Sequence, residues 1–126
     1  MICPFCSPEP TRILAENSHA LALFDNFPVS PGHALIVPRR HVASLFETSE
    51  AERQAMWELL DETRRILVEK HKPDGFNIGV NDGAAAGQTV MHLHVHLIPR
   101  YAGDAAEPRG GVRRIFPDKA AYWEER

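Results

Sequence analysis

At 126 residues the chain is long enough for one domain with a real core and short for two. Its 44% hydrophobic and 25% charged residues match an ordinary soluble globular protein. A net charge of −3, from 14 basic against 17 acidic residues, gives no push toward nucleic acid or an anionic membrane, and no apolar run is long enough to span a bilayer.

The N-terminus, Met1 to Cys6, lacks the charged and apolar regions of a secretory signal. A cytoplasmic protein is expected, in a compartment where structural disulfides are unusual. Cys3-Pro4-Phe5-Cys6 is a Cys-x-x-Cys pair. A thioredoxin-like redox pair should follow a strand and open a helix, and no room exists for that strand. Half of a structural zinc site fits better, with two further ligands elsewhere in the chain.

Arg12–Glu16 and His19–Asp25 read as two strands joined by the turn Asn17-Ser18. His19 reads as a surface residue. Two prolines make residues 26–32 a connecting loop. His33–Val37 is a short apolar run bounded by Gly32 and Pro38, as in a buried strand. At its head, His33 either faces a ligand or caps the sheet. His41 leaves this strand where a ligand for the cysteine pair could be supplied. Ser49 and Glu52 have the spacing of a capping box, and Met56, Leu59, Leu60, Thr63 and Leu67 follow helical periodicity. One long amphipathic helix ending before Pro73 is expected, with Met56 and Trp57 in the core. His71 in its last turn is favoured there by the helix dipole.

Gly75–Asn81 reads as another strand, running into the small-residue loop Asp82–Thr89. That loop is not a P-loop: Gln88 stands where a lysine should be, and a strand follows instead of a helix. Asn81 and Gln88 are uncharged donors suited to phosphate oxygens. In Met91-His92-Leu93-His94-Val95-His96-Leu97-Ile98, histidines alternate strictly with apolar residues, the pattern of a half-buried strand with three imidazoles on one face. A rise of about 3.3 Å per residue sets neighbouring imidazoles roughly 7 Å apart and the outer two roughly 13 Å apart, too far to converge on one metal ion. Three buried imidazoles without partners would be costly, so the row points to separate tasks along a polar groove. Gly110–Phe116 reads as a last short strand, and Pro117 opens a terminal helical turn carrying Tyr122 and Trp123.

His92-x-His94-x-His96, preceded by Gly87-Gln88-Thr89-Val90, resembles the histidine triad (HIT) family of nucleotide hydrolases and transferases. Pro31-Gly32-His33 before an apolar strand is similar to an upstream family feature, and Cys3-x-x-Cys6 to bacterial members with structural zinc. The likeness runs from Cys3 to about Gly103. It implies an α+β domain over residues 1–126 in the HIT fold, an antiparallel sheet with one long helix. Residues 1–10 would be a zinc-binding N-terminal loop and residues 101–126 a C-terminal tail. It also implies a homodimer with one ten-stranded sheet.

By the same resemblance, His94 attacks the α-phosphorus and forms a nucleotidyl-histidine, His96 bonds phosphate and leaving group, and His33 supports the triad. Asn81, Gln88 and Thr89 contact phosphate, and Asp25 holds the ribose hydroxyls. Asn81 stands where the branch nearest in sequence has a glutamine. Cys3, Cys6, His41 and His92 form a closed Cys2His2 zinc shell, with no organic cofactor. The expected reaction is hydrolysis of a dinucleoside polyphosphate. The alternatives are hydrolysis of an adenosine 5′-phosphoramidate, and a nucleotide-binding regulatory protein with incidental turnover.

Overall fold

The computed structural model describes residues 3–124. Met1 and Ile2, on which part of the N-terminal reading falls, and Glu125 and Arg126 at the end of the tail lie outside the described residues. Five strands form one antiparallel sheet: β1 (Ile13–Glu16), β2 (Ala20–Phe24), β3 (Ala34–Pro38), β4 (Gly75–Val80) and β5 (Val95–Arg100), in the order β1-β2-β3-β5-β4. The single long helix, α1, runs from Glu50 to His71. The architecture is therefore the α+β arrangement expected.

Strands β2 and β3 are buried along almost their whole length because both faces of the sheet are covered. The period of two divides their residues between two cores. Ala20, Ala22, Ile36 and Val95 pack against Met56 and Leu59 of α1, and Ala34 and Leu97 pack against Leu67. Small alanines on that face let the helix approach closely. Leu21, Leu23, Leu35 and Val37 point the other way and pack on Phe5 of the N-terminal segment. The register pairs Leu35 with His96, so His96 of β5 shares this second face, away from the helix.

The helix starts and stops as its sequence dictates. The Ser49 hydroxyl accepts the Glu52 N–H at 3.1 Å, and the Glu52 carboxylate accepts the Ser49 N–H at 2.8 Å. Lys72 closes the helix in the left-handed conformation (φ 51°), its N–H bonded to the Val68 carbonyl. Gly32 (φ 88°) lies against the last turn, where a Cβ would stand 2.9 Å from the His71 ring; His71 thus packs on the β2–β3 loop. Among the described residues, no helix is long and apolar enough to cross a membrane.

Three expectations need correction. The triad segment is not one continuous strand: β5 begins at Val95, and residues 91–94 precede it outside the ladder. Pairing with β3 stops at Ile36–Val95 because the neighbouring Pro38 has no N–H to offer, and its carbonyl accepts the His92 ring instead. Gly111–Ile115 is a 3₁₀ helix rather than a strand, because Gly110 turns left-handed (φ 82°) and the Arg113 N–H bonds back to the Gly110 carbonyl. Trp57 is 43% exposed, lying on the flank of α1 while Met56 beside it is fully buried.

Glu52 does more than cap the helix. Its carboxylate takes a two-point bond from Arg40, at 2.9 and 2.8 Å, which holds its pKa down to about 2, the Ser49 N–H assisting. A carboxylate depressed in the folded state adds stability above its free value, lost as pH falls through the folded value. Glu52→Ala should lower unfolding free energy by about 1–3 kcal/mol at pH 7. In urea melts, the gap to the wild type should close as pH drops from about 4.3 toward 2.

Candidate functional site

The site forms where the N-terminal segment, the β2–β3 loop and the residues entering β5 meet on the face away from α1. Its first part is a cluster of four donors. The Cys6 thiol lies 3.2 Å from His41 Nδ1 and 3.5 Å from His92 Nδ1, and the Cys3 thiol lies 3.4 Å from His92 Nδ1. The two imidazole Nδ1 atoms face each other at 3.2 Å. His92 is fully buried, and its Nε2–H donates to the Pro38 carbonyl at 2.8 Å, so Nδ1 presents a lone pair. Burial pushes the His92 pKa below its ordinary value, which favours this neutral, ligating form.

Zinc bonds of about 2.0–2.1 Å to nitrogen and 2.3 Å to sulfur put tetrahedral donors about 3.3–3.8 Å apart. The four donors lie within 4.8 Å of one another, and the spacings above fall in or just below that range. With both cysteines as thiolates and both imidazoles neutral, the four converging atoms are all electron-pair donors, the set that a soft divalent cation binds. The residues therefore fit zinc.

The second part is a directed chain of imidazoles. The backbone N–H of Val29 donates to His33 Nδ1 at 3.1 Å, which leaves the His33 proton on Nε2. That Nε2–H faces His96 Nδ1 at 3.0 Å and the Asp25 carboxylate at 3.4 Å. With Nδ1 of His96 accepting, its Nε2 carries a proton outward as a donor. Burial holds His33 and His96 below the ordinary histidine pKa, which keeps the chain neutral; the charge of Asp25 opposes this at both. Asp25, His33 and His96 also lie close enough to hold a metal ion, but the His33 Nε2 lone pair is occupied by its proton. The two clusters thus separate chemically.

His94 has the opposite polarity. Its Nδ1–H donates to the His92 carbonyl at 2.9 Å, so Nε2 offers a lone pair to the groove. The His94 and His96 rings stand 5.2 Å apart, a nucleophilic nitrogen beside an N–H donor. Phe5, between the two cysteines, packs its ring 5.0 Å from His94 and 5.8 Å from His92, and its N–H donates to the Cys3 thiol. The His94 and His96 rings lean closer than the strand spacing of roughly 7 Å suggests.

A depression of about 490 Å³ opens beside this array, its lining including Phe24, Asp25, Val29 and His33. Asp25 is fixed there by the Phe27 N–H at 2.7 Å. The loop is tied from below: Ser30 Oγ donates to the Pro99 carbonyl and the Tyr101 hydroxyl to the Pro31 carbonyl, both at 2.7 Å. Gln88 is buried with its amide fully engaged. It accepts from the Gly83 N–H and donates to the carbonyls of Ala43 and Val90, so here it shapes the loop. Asn81 and Thr89 make no side-chain hydrogen bond among the described residues and stay available to a ligand. Sequence reasoning missed Phe5, Val29, Ser30 and Tyr101. Phe5 was detectable as an apolar residue inside a metal-ligand pair; the others act through backbone atoms or single long-range bonds without a pattern.

The family description "HIT domain" matches residues 7–103. A HIT-like protein of Methanocaldococcus jannaschii is 37% identical over 123 residues, covering 94% of this chain and 95% of that one. An AP-4-A phosphorylase of Mycobacterium tuberculosis is 34% identical over 81% of this chain, which spans about half (53%) of its length. Among solved structures, a zinc-bound histidine triad family protein from Mycobacterium smegmatis is similar with a TM-score of 0.73 and 34% identity, covering 83% of this chain and 79% of that one.

Proposed function

This chain belongs to the HIT domain family, and from that premise we propose that it is a nucleotide hydrolase acting at the α-phosphorus of a dinucleoside polyphosphate. The observation that carries the reading is the opposed polarity of His94 and His96: one presents a lone pair and the other an N–H, with rings 5.2 Å apart. An attacking nitrogen next to a donor for the departing oxygen is what displacement at phosphorus needs. The similarity to the AP-4-A phosphorylase supports this choice of substrate.

In the first step, His94 Nε2 bonds to the α-phosphorus and the phosphorus–oxygen bond to the polyphosphate breaks, its electron pair leaving with the oxygen. His96 Nε2–H bonds that oxygen as its charge develops. His33 keeps His96 oriented, because the Val29 N–H leaves only one tautomer compatible with the chain. Water then displaces the nucleotidyl group from His94, giving the mononucleotide and restoring the imidazole. Asp25 holds the ribose hydroxyls beside His33, while Asn81 and Thr89 offer donors to the phosphate oxygens, with Gln88 bracing their loop.

Cys3, Cys6, His41 and His92 would hold zinc as a closed shell that cross-links the N-terminal segment to the triad and supplies no open coordination position. Strand β4 has a free outer edge on which Ile78 is 47% exposed, and pairing of two copies along it would give a ten-stranded sheet. Sedimentation should find a dimer; a monomer at micromolar concentration would exclude that pairing.

Three further readouts bear on the reading. His94→Ala should reduce cleavage of diadenosine tetraphosphate by about a thousandfold or more in a protein that still unfolds cooperatively; retained turnover would sink the mechanism. Side-by-side assays should show the tetraphosphate cleaved faster than an adenosine 5′-phosphoramidate, and the reverse order would reassign the leaving group. Removing metal with a chelator should lower the melting temperature by several degrees, and Cys3→Ser should abolish that sensitivity.

A further inference from the structure

Gly79 lies directly across the ladder from His96, in the register that pairs β4 with β5. Residues opposed in this way share a face, with Cβ atoms about 4.5–5.5 Å apart. On its other side, β5 meets β3, and there the His96 ring turns Nδ1 toward His33. The donor nitrogen Nε2, across the ring, is turned away from His33. The other flanking strand is β4, and the residue facing His96 from it has no side chain.

Nothing in the fold requires a glycine at this position. Gly79 is absent from the positive-φ glycines, so the backbone there suits any residue. Within one copy of the chain a Cβ would meet nothing within 4 Å, so no neighbour in that copy demands close approach. A glycine inside a strand weakens it and often marks a place where a ligand comes near. The strip of open strand is bounded on one side. Asn77, two residues back on the same face, is bonded to Arg100 and lies against Gly111 of the tail. On the other side stands Asn81, which has no side-chain partner among the described residues.

We propose that Gly79 is a specificity-determining position, whose missing side chain opens the groove over β4 to a bulky leaving group, the departing nucleoside polyphosphate. This rests on His94 acting as nucleophile at the α-phosphorus. In-line displacement sends the leaving oxygen to the side opposite His94 Nε2, past the His96 donor, and therefore across Gly79. A small leaving group such as ammonia needs none of that space.

The test replaces Gly79 with Ala and with Val and measures both substrates. Because the site is exposed strand with room for a Cβ, both variants should fold with unchanged or raised melting temperature. Gly79→Val should lower kcat/KM for diadenosine tetraphosphate at least tenfold, and Gly79→Ala should lower it less. Cleavage of adenosine 5′-phosphoramidate should stay within twofold of the wild type in both. Equal losses on the two substrates, or full retention of both, would overturn the proposal while leaving the hydrolase reading intact. A wild-type protein that cleaves neither substrate would overturn the hydrolase reading, and this proposal with it.

Discussion

His92 joins the two halves of the site through different atoms of one residue. Its Nε2–H is anchored on the Pro38 carbonyl, its Nδ1 faces two thiols and a second imidazole, and its backbone carbonyl receives the Nδ1–H of His94. The last bond decides which nitrogen of His94 carries the lone pair. Any shift of the Cys3–Cys6–His41–His92 cluster therefore acts on the His94 ring through that bond. Phe5 adds a second path, since it sits between the cysteines and packs on both rings.

The rest of the site follows from where protons must lie. The Val29 N–H fixes His33, His33 fixes His96, and His96 becomes a donor. His94 starts from a carbonyl rather than an N–H and becomes an acceptor. Two identical side chains thus acquire opposite roles from the backbone groups that address them. Burial keeps His33 and His96 in the neutral form that such a chain requires.

The fold supplies the rigidity this needs. Alanines at 20, 22 and 34 bring α1 close to one face of the sheet, while leucines and Phe5 fill the other up to the histidines. The β2–β3 loop, which carries the Val29 N–H, is held by Ser30, Tyr101 and the contact of Gly32 with His71. The last turn of the helix and the end of β5 therefore brace a backbone amide that sets a tautomer in the groove.

Much of this was legible along the chain. Periodicity located the strands, and the capping box and Pro73 bounded the helix, because both are local rules of spacing and backbone chemistry. The histidine alternation marked the stretch that brings its imidazoles to the site, and residue type picked out Cys3, Cys6 and His41 as candidate ligands. The tertiary structure decided what depends on contacts across the chain. It started β5 only at Val95, because Pro38 has no N–H for the ladder, turned 111–115 into 3₁₀ helix, and left Trp57 partly exposed. It also set the tautomers of His33, His92, His94 and His96 and the open space facing His96 across Gly79. A tautomer is chosen by a partner far away in sequence, and a missing side chain matters only beside what it fails to cover, so neither can be read from residue order.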